Sequence, residues 1–305
     1  MVRRSGWTII GVLCCLASGC HAIADYEKVT PQKPLDAAIA DANVHGDAGP
    51  PSDGSLQDSS CPDGGCVAPP PPLQIVAAGD HSCALLADGT VLCWGRNDYG
   101  QLGRGDFIDS HTPRHVLLMS ATNEEIPLRN VTMLATSAVH ACALANGDIY
   151  CWGANWGGQA SLSATDWRLS RAGKMPLTIV PMDPPKTLAL KDNQSCLLTT
   201  SGKVWCWGEG SSPAQKSLPG TTAHLACGSY HCCAANTENQ FTCWGYNWSG
   251  QTIPPPSPSP GTTLVHLAAG NSFNCALLEE ALGERSQLCW GEGWFGQFGA
   301  PPTYG

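Results

Sequence analysis

"HSCALLADGTVLCWGRNDYGQLG", residues 81–103, sets two cysteines ten residues apart across an Asp-Gly turn and closes on a Trp-Gly loop. The pattern returns four times: "HACALANGDIYCWGANWGGQ" (140–159), "QSCLLTTSGKVWCWGEG" (194–210), "HCCAANTENQFTCWGYNWSGQ" (231–251) and "FNCALLEEALGERSQLCWGEGWFGQFG" (273–299). Such self-similarity marks a stack of small units, none of which buries a core alone.

The turns decide whether the paired cysteines face each other. Between Cys142 and Cys151 the midpoint falls between Asn146 and Gly147, and a two-residue type I′ turn there puts them directly opposite. For Cys83 and Cys93 the centre is Ala87-Asp88-Gly89, and for Cys196 and Cys206 it is Thr200-Ser201-Gly202. Both suit three-residue loops whose last residue takes the left-handed conformation glycine permits. Opposed residues on antiparallel strands lie within disulfide range. Of 17 cysteines, Cys14, Cys15 and Cys20 fall in the first 20 residues, leaving an even fourteen. Five pairs lie in the repeats: Cys83/Cys93, Cys142/Cys151, Cys196/Cys206, Cys233/Cys243 and Cys275/Cys289. Two more are local, Cys61/Cys66 and Cys227/Cys232. That usage predicts a disulfide framework in an exported protein. Zinc is the rival, but no CxxC occurs and His81, His140 and His231 give way to Gln194 and Phe273 in the other copies. These histidines read as hydrogen-bonded structural residues, and no metal or cofactor is expected.

Residues 1–19 read as a signal peptide: Arg3 and Arg4, an apolar run too short to span a bilayer, then small residues. "LASGC" resembles the bacterial lipobox, in which the cysteine carries the lipid; here that residue is Cys20. Ala17 stands where the lipobox favours Leu, with Leu16 one place earlier. The resemblance implies membrane attachment through the lipid anchor alone, and His21 after the cysteine points to the outer membrane; cleavage without lipidation leaves a secreted protein. Residues 20–72, rich in Asp, Pro, Gly, Ala and Ser, cannot bury a core and read as a disordered tether.

From residue 73 to 305 each unit opens on an apolar strand ending in small residues ("LQIVAAG", "TAHLACG", "LVHLAAG"), followed by the cysteine hairpin. Outer strands are expected at "HTPRHVLL" (111–118) and "MPLTIV" (175–180). Up to four short strands per unit, apolar on both faces, predict an all-β propeller whose small residues crowd the axis.

These residues resemble the repeat of the regulator of chromosome condensation family, with its Ala-Gly, His-Ser-x-Ala-Leu, Asp-Gly and Trp-Gly-x-Asn-x-x-Gly-Gln-Leu-Gly pattern. Trp94, Trp152, Trp207, Trp244 and Trp290 mark five units, spaced 58, 55, 37 and 46 residues apart. The short third interval predicts loss of most of that unit's outer strand and of its Asn-x-x-Gly-Gln. Family rings have seven blades, so a five-bladed ring, a ring with degenerate sixth or seventh blades and an open arc all stay open. The resemblance implies a rigid disc used for protein binding.

Charged residues make up 13% of the chain and the net charge is -9 without a basic block, which speaks against nucleic acid as a partner. "GEGWFG" (291–296) satisfies a dinucleotide fingerprint but lacks the strand–helix context that the chemistry requires. Paired carboxylates, which glycosidase chemistry needs, do not recur at one repeat position. No enzyme activity is expected. The loop after each Trp-Gly carries an aromatic in four units, Tyr99, Trp156, Trp248 and Trp294. Equivalent loops emerge on one face of a propeller, so these rings are the candidate binding residues for an extracytoplasmic protein, with a glycan as the alternative.

Overall fold

A computed structural model describes residues 70–162, 165–177 and 183–299, and none of these is helical. Cys20, Cys61, Cys66 and nearly all of the tether lie outside them.

Among the described residues the chain builds five antiparallel sheets, one per repeat, and one separate two-stranded hairpin. Unit one runs β1 (Pro72–Ala78), β2 (His81–Leu86), β3 (Val91–Gly95) and β4 (Ser110–His115), followed by a small hairpin of β5 (Leu117–Met119) and β6 (Glu125–Pro127). Unit two comprises β7 (Val131–Thr136), β8 (His140–Ala145), β9 (Asp148–Ala154) and β10 (Arg168–Lys174). Unit three has β11 (Pro185–Lys191), β12 (Gln194–Thr199), β13 (Val204–Gly208) and β14 (Ser211–Lys216). Units four and five are three-stranded: β15 (Thr222–Cys227), β16 (His231–Asn236) and β17 (Phe241–Gly245), then β18 (Thr263–Ala269), β19 (Phe273–Glu279) and β20 (Arg285–Gly291). Two expectations are corrected. The outer strand of unit two is Arg168–Lys174, while Met175 and Leu177 of "MPLTIV" go into the core. Unit three loses the loop after its Trp-Gly but keeps an outer strand, because only Glu209 and Gly210 separate β13 from β14.

The turns follow from their residues. Asn146 and Gly147 both have positive φ, 52° and 80°, and Cys142 stands opposite Cys151 in register. Asp88 accepts the Thr90 N–H and hydroxyl at 2.9 and 2.7 Å, which fixes the loop around Gly89. Six disulfides close among the described residues: Cys83–Cys93, Cys142–Cys151, Cys196–Cys206, Cys227–Cys232, Cys233–Cys243 and Cys275–Cys289. All six lie within single units. The sulfurs of Cys196, Cys227 and Cys232 lie within 4.8 Å of one another, but each is tied in a disulfide and none is a thiolate ligand.

Each neighbouring pair of units shares an apolar core. Val76, Leu85, Val131 and Trp152 fill the first boundary; Ile149, Leu188, Leu197 and Trp207 the second. Leu198, Val204, Leu225 and Ala234 fill the third, and Leu264, Leu267, Ala276 and Trp290, packed on Phe241, the fourth. Hydrogen bonds repeat across these boundaries. The buried indoles of Trp152, Trp207 and Trp290 donate to the carbonyls of Gln101, Gln159 and Gln251 in the preceding unit, at 2.8, 3.0 and 3.1 Å. The repeat histidines reach the other way. His81 pairs with Thr136 at 2.7 Å, His140 with Ser195 at 2.9 Å, and His231 donates to Asn274 at 2.8 Å. No comparable core joins units five and one among the described residues, and Leu73, Ile75 and Val265 stay exposed on their flanks. Inner-strand ends from all five units nevertheless line one narrow axial hollow, at Ala78, Ala138, Asp192, Gly228 and Ala269 among others.

Candidate functional site

The Asn and Gln of the Trp-Gly loop are internal locks. Asn97 accepts the Leu102 N–H, Asn155 that of Ala160 and Asn247 that of Thr252, each at 2.9 Å. Gln101, Gln159 and Gln251 accept the N–H groups of Tyr99, Gly157 and Ser249 at 2.8–2.9 Å. Asn97, Gln101, Asn155, Gln159 and Gln251 are buried, while Trp156 and Trp248 in the same loops are exposed. Gly153, at φ 101°, illustrates the tight approach: a Cβ there would lie 2.6 Å from the His140 Cα, which no side chain tolerates.

The structure divides the four predicted aromatics into separate groups. Tyr99 and Trp156 meet edge to face, centroids 5.0 Å apart. Beside them Arg168 lies over Phe107 and Trp167, at 3.8 and 4.3 Å from the ring centres, and donates to the Asp98 carbonyl at 2.7 Å. Units one and two thus carry two ring groups on the same loops, the Tyr99–Trp156 pair and Phe107 with Trp167 on the Arg168 guanidinium. Trp248 is 89% exposed and rests on Tyr246, which in turn contacts Tyr230, each pair 6.0 Å between centroids. Trp294 projects beside Phe295, both exposed.

Tyr230 and Tyr246 were missed in the sequence, although a signal was present. The residue before each repeat histidine position accepts, through its carbonyl, the N–H of the residue after Trp-Gly: Asp80 from Arg96, Val139 from Ala154, Asn193 from Glu209, Tyr230 from Tyr246 and Ser272 from Glu292. These paired, variable positions stand side by side on the loop face. Asp80 and Arg96 make an ion pair there, whereas Tyr230 and Tyr246 make a ring pair.

Between units three and four lies a hollow of about 500 Å³ lined by Lys191, Asn193, Glu209, Tyr230, Tyr246 and Trp248, with Gly245 and Asn247. Its floor arises where unit three departs from the repeat. The position held by Ala78, Ser137, Gly228 and Gly270 is Lys191, the histidine position is Gln194, and the lost loop leaves Glu209. The buried Lys191 ammonium donates to one Glu209 oxygen and the Gln194 amide to the other, the latter at 3.1 Å. With no Gln carbonyl from unit three to receive it, the Trp244 indole donates to Gln194 instead, at 3.4 Å.

Burial sets two unusual ionisations. It holds His140 down at about 3, with neighbouring His81 adding a smaller push. It lifts Asp192, on the axial hollow, to about 6 against the opposing Ala138 N–H and Lys191 charge. One Asp192 carboxylate oxygen is buried without a hydrogen-bond partner.

The model for the regulator of chromosome condensation (RCC1) repeat matches residues 73–101 and 186–212, and a second RCC1 repeat model matches 88–144. The chain is 29% identical over 201 residues to the human probable E3 ubiquitin-protein ligase HERC6, covering 60% of this chain and 19% of the relative. It is 27% identical to the mitochondrial RCC1 domain-containing protein RUG3 of Arabidopsis thaliana (58% and 42% covered) and 25% identical to that plant's ultraviolet-B receptor UVR8 (59% and 54%). It therefore spans little more than half, at most, of these curated relatives. Among solved structures, human WBSCR16 superposes with a TM-score of 0.56 at 21% identity, over 73% of this chain and 62% of that one. Yeast RCC1 (Prp20), solved bound to Kap60, gives 0.53 at 18%, over 66% and 53%. The locked Trp-Gly loops, the five sheets and these matches agree: the chain carries RCC1-like repeats in the matched segments and has a fold like that of RCC1-type β-propellers.

Proposed function

We propose that the protein is a non-catalytic binding module, exported and anchored through a lipid on Cys20, that holds an extracytoplasmic protein partner on its loop face. The observation that carries this reading is the aromatic cluster of units one and two, Tyr99 against Trp156 and Phe107 and Trp167 on Arg168. Tyr, Trp and Arg dominate the energetics of protein interfaces because they bury large area at little rotamer cost. Each unit hangs on its neighbours through buried cores, so the patch is presented on a rigid support, which lowers the ordering cost of binding. Solved neighbours include a yeast RCC1 recorded with a protein partner, Kap60. The signal-like residues 1–19 and the cysteine usage support export.

The test is crosslinking on intact native cells, followed by purification of the tagged protein and mass spectrometry. A partner recovered with the native chain and lost with Trp156→Ala/Trp167→Ala supports the reading. Recovery of the well-expressed protein alone, or of the same partner with the double variant, defeats it. Metabolic labelling with a clickable fatty acid checks the anchor: label on the native chain and none on Cys20→Ala.

A further inference from the structure

We propose that the hollow between units three and four is a saccharide site that takes a neutral pyranose ring of a glycan. This site is separate from the protein-binding patch of units one and two and does not rest on it.

The hollow, about 500 Å³, falls within the roughly 300–1,000 Å³ of small-molecule sites. Its wall is aromatic: Tyr230, Tyr246 and Trp248 meet successively at interplanar angles of 61° and 43°, so their faces open in different directions. Its floor is polar, with the Lys191–Glu209 pair and Asn193. Apolar walls with a few convergent polar groups select ligands that carry both kinds of surface.

The charge arrangement narrows the chemistry. Both Glu209 oxygens are engaged, one by Lys191 and one by Gln194, so an arriving cation finds its counter-ion occupied, with Lys216 also in electrostatic range of Glu209 and Lys191. An arriving anion meets a lysine already neutralised, on a chain of net charge -9. A purely apolar side chain would cover the ammonium, carboxylate and amide groups without replacing their water, at a desolvation cost. A pyranose avoids all three penalties. Its C–H face is weakly positive and rests on the negative face of an aromatic ring. Its hydroxyls donate and accept, matching an ammonium with three donors, a carboxylate and two amides.

Three departures from the repeat converge on this floor: Lys191 in a small-residue position, Gln194 in the histidine position and Glu209 in place of a loop. The ring wall comes from the unit that follows. A scaffold that repeats one unit makes a site where the repetition breaks.

The experiment uses the full exported chain on a printed array of neutral and acidic glycans, followed by a tryptophan-fluorescence titration with the best neutral oligosaccharide. Binding to at least one neutral glycan is expected, weakened ten-fold or more by Trp248→Ala and by Tyr246→Ala and changed less than two-fold by Trp156→Ala. Trp248 is 89% exposed, so its removal leaves the melting temperature in place and loss of binding is not loss of fold. Glu209→Gln, which releases the Lys191 charge, shifts array preference toward carboxylated sugars. Folded protein that binds no glycan, binds acidic glycans only, or binds equally well without Trp248 and Tyr246 overturns the proposal. None of these results bears on the partner captured through Trp156 and Trp167.

Discussion

His140 shows how burial fixes the state of a single residue. Its ring pairs with Ser137 at 2.7 Å and Ser195 at 2.9 Å and is held at about 3, against 6.5 in an open chain. Between those values the unfolded chain binds a proton that the folded chain refuses, so this contribution to stability is complete above pH 6.5 and falls as the pH drops, by about 1.4 kcal/mol per unit. Urea unfolding across pH 4–7 should show that slope, and His140→Gln, which copies Gln194 of unit three, should flatten it. Asp192 works in the opposite sense. Its acid form is favoured up to about 6, so ionisation at neutral pH strains the fold. Asp192→Asn should raise the melting temperature by about 2–4 °C at pH 7.5, a shift worth about 1 kcal/mol, and leave it unchanged at pH 3, where the carboxyl is protonated in the folded and the unfolded chain alike. An equal gain at both values would mean that the charge is not the cause.

At the scale of the element, the boundary between units is the recurring device. The Trp152 indole is buried and donates to the Gln101 carbonyl, so Trp152→Phe strands an acceptor and should cost about 2 kcal/mol or more in equilibrium unfolding. Trp94 of unit one is half-buried and follows no other unit among the described residues. Trp94→Phe should cost less than about 0.5 kcal/mol, and equal costs would refute the boundary role. The sequence made these hairpins legible because turn chemistry is local: Asn146-Gly147 and Gly89 dictate backbone angles that few other residues accept. Outer strands were less legible. "MPLTIV" has strand composition, yet Met175 and Leu177 serve the core while Arg168–Lys174, with two arginines and a lysine, forms the strand. An edge strand needs backbone partners more than apolar side chains, so hydrophobic pattern points to the wrong segment.

For the molecule as a whole, the sequence carried the fold but divided the candidate site imperfectly. Trp156, Trp248 and Trp294 stand out because they share one repeat position, and Tyr99 because it sits one residue further along the same loop. Their grouping, and the part played by Tyr230, Lys191 and Glu209, depends on contacts between units that no single repeat contains. The same dependence makes stability uneven. Strands β8 and β12 are buried between two neighbours, whereas β1 and β20 flank the boundary that lacks a core. Amide hydrogen exchange should be slowest in β8 and β12 and fastest in β1 and β20; uniform protection would show that units five and one are sealed by contacts of equal strength.

The confinement of every described disulfide to one unit has a consequence for how the protein is made. None of the described bridges spans more than 14 residues, so each correct partner emerges soon after its mate and before the next unit exists. In a chain threaded N-terminus first into an oxidising compartment, the order of arrival itself suppresses wrong pairings. Denatured, reduced protein refolded all at once, with every thiol competing, loses that protection and should scramble.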